Sequence, residues 1–199
     1  MESTFLAWMF RMPLIKRWAL MYCVKKENVA EHSHQVAIIA HLLAVIKNEK
    51  FGGNINADRV ATIALYHEAS ETQYGDVVSP TKYANKEISR EFKKIEALAE
   101  KQCLESLPED IRHVFRDIIV QDNVDAQYKA IVKAADNLAA YIKTLDEIRH
   151  NNVEFEHVEQ RLRAKLMVTQ QQMPEVGYFM ETFLQYCTAS VDKLSEKRT

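Results

Sequence analysis

Apolar residues along this chain recur at spacings of three and four, and the start and stop signals between them are helical throughout. Val36 to Ile46 is apolar except at His41, so the helix predicted there is central and not half exposed. Asn28-Val29-Ala30-Glu31 ahead of it has the form of a capping box, and Gly52-Gly53 closes the region. Asn56 with Asp58 opens a second helix predicted to run through Val60, Ile63, Ala64 and Leu65 to His67 and beyond. Gly75 and Pro80 bound a loop, after which Ile88, Phe92, Ile95, Leu98 and Ala99 mark a third helix. Ser106-Leu107-Pro108-Glu109 combines a cap, a first-turn proline and an acid, and predicts another helix start. A long helix is predicted from about Gln127 to Arg149, with Ile131, Ala134, Ala135, Leu138, Tyr141, Ile142 and Leu145 on its apolar side. Two more flank Pro174-Gly177, giving about seven helices and no sheet.

Composition narrows this to a single all-α domain over residues 1–199. Gly52, Gly53, Gly75 and Gly177 are the only glycines, so neither a dinucleotide fingerprint nor a phosphate loop can be written. A formal net charge of -2 argues against a partner that is a nucleic-acid polymer, which calls for a basic excess. A small anionic substrate stays open, because one arginine and one cation can manage it locally. Cys23, Cys103 and Cys187 are scattered, with no C-x-x-C pair, which fits a reducing, cytoplasmic setting. The run Phe5 to Phe10 stops at Arg11 with no basic segment before it, and no uninterrupted apolar run approaches a bilayer's thickness, so no membrane association is expected.

The densest chemistry lies in Tyr66-His67-Glu68-Ala69-Ser70-Glu71. If the helix continues, His67 and Glu71 stand one above the other, with Glu68 turned aside by about 100°. His67 and Glu68 could then share an ion, with Glu71 beside it as an outer-sphere acid or base. The zinc-protease motif H-E-x-x-H is excluded, since its final position is Glu71. A second imidazole is available from Glu31-His32-Ser33-His34. Taken singly, each candidate has a plainer reading. Asp136 lies at the edge of its helix's apolar stripe, with Lys133 and Lys143 on its side, as a solvated acid would. Arg17 and Trp18 read as a solvated cation and a packed aromatic. Trp8, Phe10 and Tyr22 read as core or interface; His34, His41, His113, His150 and His157 read as structural or exposed.

Several blocks in order change that balance: Arg17-Trp18 with Leu20-Met21, Asn28 to Ser33, Lys50 to Asn54, His67 to Glu71, Gly75-Asp76, Pro80, Lys82-Tyr83 and Lys133 to Asp136. Along nearly its full length the chain resembles the HD-domain 5'-deoxynucleotidases of the YfbR type. The resemblance implies a helical bundle in which His32, His67, Glu68 and Asp136 bind a divalent transition metal. Cobalt, manganese, zinc and iron suit such a mixed nitrogen and oxygen set better than magnesium or calcium. It further implies that Glu71 orients or deprotonates the attacking water, Arg17 holds the 5'-phosphate, and Trp18 presses where a ribose 2'-hydroxyl would project. Asp76, Val77, Val78 and Ser79 would line the nucleotide pocket, Asp76 counting with Glu71 and Arg17 among the catalytic residues, with His32 and Asp136 also facing substrate, and the protein would be a homodimer.

Two departures stand out. Glu68 replaces the aspartate of the His-Asp pair, adding one methylene between backbone and carboxylate. Val78-Ser79 replaces the more usual proline and threonine. Two rivals to hydrolysis of deoxyribonucleoside 5'-monophosphates follow from the same scaffold: a deoxynucleoside triphosphate triphosphohydrolase, and a helical regulatory or binding module that has lost its chemistry.

Overall fold

A computed structural model describes residues 2–196, and it is helical with no strand among them. Seven helices have eight residues or more: α2 (Val29–Phe51), α3 (Ala57–Tyr66), α6 (Lys86–Glu105), α7 (Arg112–Ile119), α8 (Ala126–Arg149), α9 (Glu156–Gln172) and α10 (Pro174–Thr182). Shorter turns of helix are α1 (Phe5–Met9), α4 (Glu71–Tyr74), α5 (Ser79–Lys82) and α11 (Val191–Ser195).

Helix α2 is the axis of the bundle and packs against α3, α8 and α10. Val36, Ala40, Leu43 and Ala44 have no exposed surface and meet Ile63 of α3, Leu138 of α8 and Val176 of α10 in one core. Complete burial of a side chain such as Leu43 or Leu138 stabilises the fold by ~1.5–3 kcal/mol. Differences in helix propensity are tenths of that, so packing decides where α2 lies. By length and composition α2 could also cross a membrane, contrary to the reading from uninterrupted runs. Its role here is that of a largely buried core helix.

Both predicted ends of α2 form. Asn28 Oδ1 accepts the Glu31 N–H at 3.0 Å and Glu31 returns the bond to the Asn28 N–H at 3.3 Å, the reciprocal capping box. Gly52 closes the helix at φ 67°, a left-handed position that costs glycine nothing. Asn48 then clamps the connector, accepting from the Ile55 N–H and donating to the Ile55 carbonyl at 2.8 and 2.7 Å.

Four boundaries differ from the sequence pattern. Helix α3 ends at Tyr66, and residues 67–70 form a turn before α4. The Gly75–Pro80 stretch contains the start of α5, with Pro80 in its first turn. Ser106 ends α6, its hydroxyl donating back to the Cys103 carbonyl at 2.6 Å, and the next helix waits until Arg112. Pro174 and Gly177 lie inside α10, where proline opens the helix, a position at which its missing N–H costs nothing.

A second, smaller core orients the turn after α3. Phe5 of α1, Cys103 of α6, and Ile118 and Ile119 of α7 bury Ala69, with Tyr66 and Phe115 packed alongside. Phe5 sits edge-on to Phe115 at 5.8 Å, and Tyr66 meets Phe115 at 87° and 6.0 Å. Tyr66 and Ala69 are thereby held on either side of His67 and Glu68.

Candidate metal centre

Three separate stretches converge on one point. His32 occupies the first full turn of α2 and is wholly buried, His67 and Glu68 follow the end of α3, and Asp136 projects from α8. One nitrogen or oxygen from each of these four residues lies within 4.8 Å of the other three. His32 Nε2 is 3.1 Å from Asp136 Oδ1, His67 Nε2 is 3.3 Å from Glu68 Oε1, and the two imidazole rings are 5.5 Å apart. The added methylene of Glu68 therefore does not carry its carboxylate past the cluster.

The tautomer of His67 is fixed by its backbone. Nδ1 donates to the Ala64 carbonyl at 2.6 Å, which turns Nε2 toward Glu68. Buried Nε2 makes no hydrogen bond, and neither does buried Oε2 of Glu71. Buried polar atoms are rarely left without partners, and two of them beside a carboxylate pair point to a group that takes lone pairs.

The electrostatics agree. Burial pushes Glu71 up, and the carboxylates of Glu68 and Asp76 add to it, reaching about 10. Burial also raises Asp76, with Arg17 opposing. For Glu68, burial is overridden by the His67 imidazole, which brings it down to about 2. Burial likewise fails to lift Asp136, which the His32 hydrogen bond and Lys133 hold well below the usual carboxylate range. Burial depresses His32, whereas Glu68 outweighs burial at His67 and raises it. Glu68, Glu71, Asp76 and Asp136 thus share one region in which Arg17 and Lys133 supply the nearest fixed positive charge, and a divalent cation would relieve that imbalance. Two nitrogens and two carboxylate oxygens fit a first-row transition metal.

Lys133 pairs with Asp136 Oδ2 at 2.7 Å, so the plain ion-pair reading and the cluster position are both realised, on different oxygens. Lys143 does not take part. It turns away to Glu147 and the Lys25 carbonyl.

Arg17 reaches the centre by backbone pairing, with Trp18 next to it in the chain. Residues 11–28 hold one short 3-10 turn, Met12–Leu14, and then an isolated antiparallel bridge between Lys16 and Asn28. The Arg17 N–H donates to the Glu27 carbonyl at 3.1 Å, and the Val29 N–H to the Ile15 carbonyl at 3.0 Å. This lays residues 15–18 beside the start of α2, with Arg17 Nη1 3.7 Å from Glu68 Oε1. Trp18 has φ 59°, a left-handed backbone that costs a non-glycine residue ~1–2 kcal/mol. Its ring meets Phe155 edge-on at 5.4 Å, and its indole N–H donates to Glu27 Oε2 at 2.8 Å.

Glu71 is buried at the start of α4, so it reaches the site from a new helical turn and not from the face of α3. Gly75, at φ 80°, turns the chain into Asp76. Asp76, Val77 and Val78 are half-buried, and Ser79 is exposed at the head of α5. Of the residues expected in core or interface, Phe10 and Tyr22 are exposed and Trp8 is half-buried against the Arg11 guanidinium. His34, His113, His150 and His157 are exposed, and His41 is intermediate, its ring 3.4 Å from Asp58. The residue that the pattern missed is Glu27. An acid directly before the helix cap, where an apolar staple is usual, was its available signal.

The family model described as 5'-deoxynucleotidase YfbR-like matches residues 4–187. A 5'-deoxynucleotidase of Vibrio vulnificus is 47% identical over 194 residues, covering 98% of this chain and 99% of its own. One from Vibrio cholerae is 45% identical over the same shares. Among solved structures, an HD-domain phosphohydrolase from Listeria innocua superposes with a TM-score of 0.81 at 22% identity, over 94% of this chain and 90% of that one. The cyanophage S-2L HD phosphohydrolase, solved with dA and one catalytic Zn2+ ion, gives a TM-score of 0.60 at 17% identity, over 93% and 99%. These two likenesses establish the HD-phosphohydrolase fold.

Proposed function

The chain belongs to the YfbR-like 5'-deoxynucleotidase family, and from that premise we propose that it hydrolyses deoxyribonucleoside 5'-monophosphates to deoxynucleoside and phosphate at the His32, His67, Glu68 and Asp136 centre. The observation that carries the reading is the convergence of those four residues, with the buried Nε2 of His67 turned among them and making no hydrogen bond. They would hold a divalent cobalt, manganese, iron or zinc ion, which when bound lowers the pKa of water and neutralises charge on a phosphoryl group.

The remaining roles fall to the chain's own side chains. Arg17 grips the 5'-phosphate through the guanidinium edge that Glu27 leaves open, as a fork suited to two phosphate oxygens. Glu71 Oε2 is buried and without a hydrogen bond; with the Glu68 and Asp76 charges offset by a bound divalent cation, Glu71 would favour its carboxylate form and then take the proton of the attacking water. The Trp18 indole closes the sugar pocket at the position of a 2'-hydroxyl, and Asp76 with Val77, Val78 and Ser79 forms the opposite wall. Phosphoryl transfer asks mainly for positioning and charge compensation, so no protein nucleophile is needed. The same reading includes a homodimer in a reducing cytoplasm. In support, exposed Tyr22 is tied by Asn152 and Glu154 to the segment bearing exposed Val153, with exposed Leu20 and Val24 nearby in sequence.

A panel of deoxy- and ribonucleoside 5'-monophosphates with four metals tests the reading, scored by phosphate release. Preference for the deoxy forms is expected. Equal rates on ribo forms would refute it, and tripolyphosphate released from a deoxynucleoside triphosphate as the main product would favour the triphosphohydrolase.

A further inference from the structure

We propose that Glu27 is a positioning residue that sets the phosphate grip and the sugar discrimination together, by holding Arg17 and Trp18 on a single carboxylate oxygen. The inference rests on the 5'-deoxynucleotidase reading above. Glu27 is 6% exposed, and its Oε2 accepts both Trp18 Nε1–H at 2.8 Å and Arg17 Nε–H at 3.2 Å. Using Nε for this bond turns the two terminal nitrogens of Arg17 away from Glu27, which is the orientation a phosphate requires. Trp18 needs an external hold because its left-handed backbone is not a conformation that tryptophan adopts by itself. The hold comes from two sides: the edge of Phe155 and the Glu27 carboxylate.

Placement explains why an acid stands here. Glu27 precedes the Asn28 cap, and His32 is the fourth residue of α2, so the pair occupies the two positions of a hydrophobic staple. A polar pair replaces the apolar one, with Glu27 Oε1 4.0 Å from His32 Nδ1. At that distance His32 Nδ1 makes no hydrogen bond, so the carboxylate stands behind the phosphate residue and the sugar residue and leaves the metal centre unheld by it. An error in its position misplaces two recognition elements at once.

The test compares Glu27→Gln and Glu27→Ala with the parent protein on 2'-deoxyadenosine and adenosine 5'-monophosphates. A second readout is the fluorescence anisotropy of Trp18 in a Trp8→Phe background. The deoxy-to-ribo ratio of kcat/KM should fall about tenfold in the alanine variant, the loss expected from one charge-assisted hydrogen bond, and less in the glutamine variant. Metal content should be unchanged, and Trp18 anisotropy should drop in the same order. Equal losses on both substrates with a constant ratio, or unchanged anisotropy, would overturn the proposal and leave Glu27 a merely structural residue. If the alanine variant does not fold, the ratio and anisotropy of the isosteric glutamine variant decide. A parent protein that does not distinguish the two nucleotides would instead defeat the deoxynucleotidase reading, and the inference with it.

Discussion

Replacing Glu147 by glutamine should destabilise the protein by ~3 kcal/mol at neutral pH, through a polar hub that fastens the site-bearing N-terminal segment to α8. Glu147 is 1% exposed, accepts the Val24 and Lys25 N–H groups at 2.8 and 3.1 Å and Asn152 Nδ2 at 2.8 Å, and pairs with buried Lys143. Burial alone would raise its pKa, but Lys143, Asn152 and the two backbone donors bring it from 4.5 to about 2. A folded-state pKa below the unfolded one contributes stability that is complete above the unfolded value and is lost as pH falls through the folded one. The difference is worth ~3 kcal/mol at pH 7 and ~1 kcal/mol at pH 3. The glutamine side chain cannot balance the Lys143 ammonium and turns an N–H₂ toward one of the donors. Urea unfolding of the two proteins from pH 7 to pH 3 measures the gap, which should correspond to ~6–12 °C in Tm at neutral pH. A gap under 0.5 kcal/mol, on the order of the ordinary surface-mutant scatter, or one that does not shrink with acid, would refute the reasoning.

Glu71→Gln should keep the metal, by elemental analysis, and lose ~10²–10⁴ in kcat; unchanged turnover would remove Glu71 from proton transfer. Arg17→Lys should raise KM about tenfold, because an ammonium cannot replace the fork and cannot keep the Nε bond to Glu27; an unaltered KM would contradict the phosphate role. Glu100 is pushed up to about 7 by burial, although it accepts the Gln121 N–H. A raised carboxyl costs nothing below its unfolded pKa and costs more as pH rises from there to the folded value near 7, so Glu100→Gln should gain up to ~3 kcal/mol at pH 8 and nothing at pH 4. Thermal melts at the two pH values would show an equal shift if this is wrong.

The helices that the sequence made legible are those whose ends carry local chemistry. Asn28 with Glu31, Gly52 and Asn56 each satisfy or release backbone groups within a few residues, so their signals survive in the fold. The failures share a cause as well. Ser106 and Pro108 look like a helix start, but the Ser106 hydroxyl bonds backward to Cys103 and ends α6. Whether a serine caps forward or backward depends on the chain around it. The end of α3 at Tyr66 is set by Tyr66 and Ala69 entering a core built from α1, α6 and α7, far away in sequence. Within the site, His67 and its neighbouring acids formed a visible local cluster. Asp136 and His32 are legible only through resemblance, since 104 residues separate partners that lie 3.1 Å apart. Glu27 was hidden because an acid before a helix reads as solvated until its burial is known.

On the proposed function, the four-residue centre carries metal-dependent hydrolysis of a deoxynucleotide. The direct measurement is phosphate release from 2'-deoxyadenosine 5'-monophosphate by chelator-treated protein, before and after cobalt is restored, alongside His67→Ala. The parent protein should lose and then regain turnover with one cobalt bound per chain, while the alanine variant retains neither the metal nor the activity. Release that persists through chelation, or full activity in His67→Ala, would contradict it.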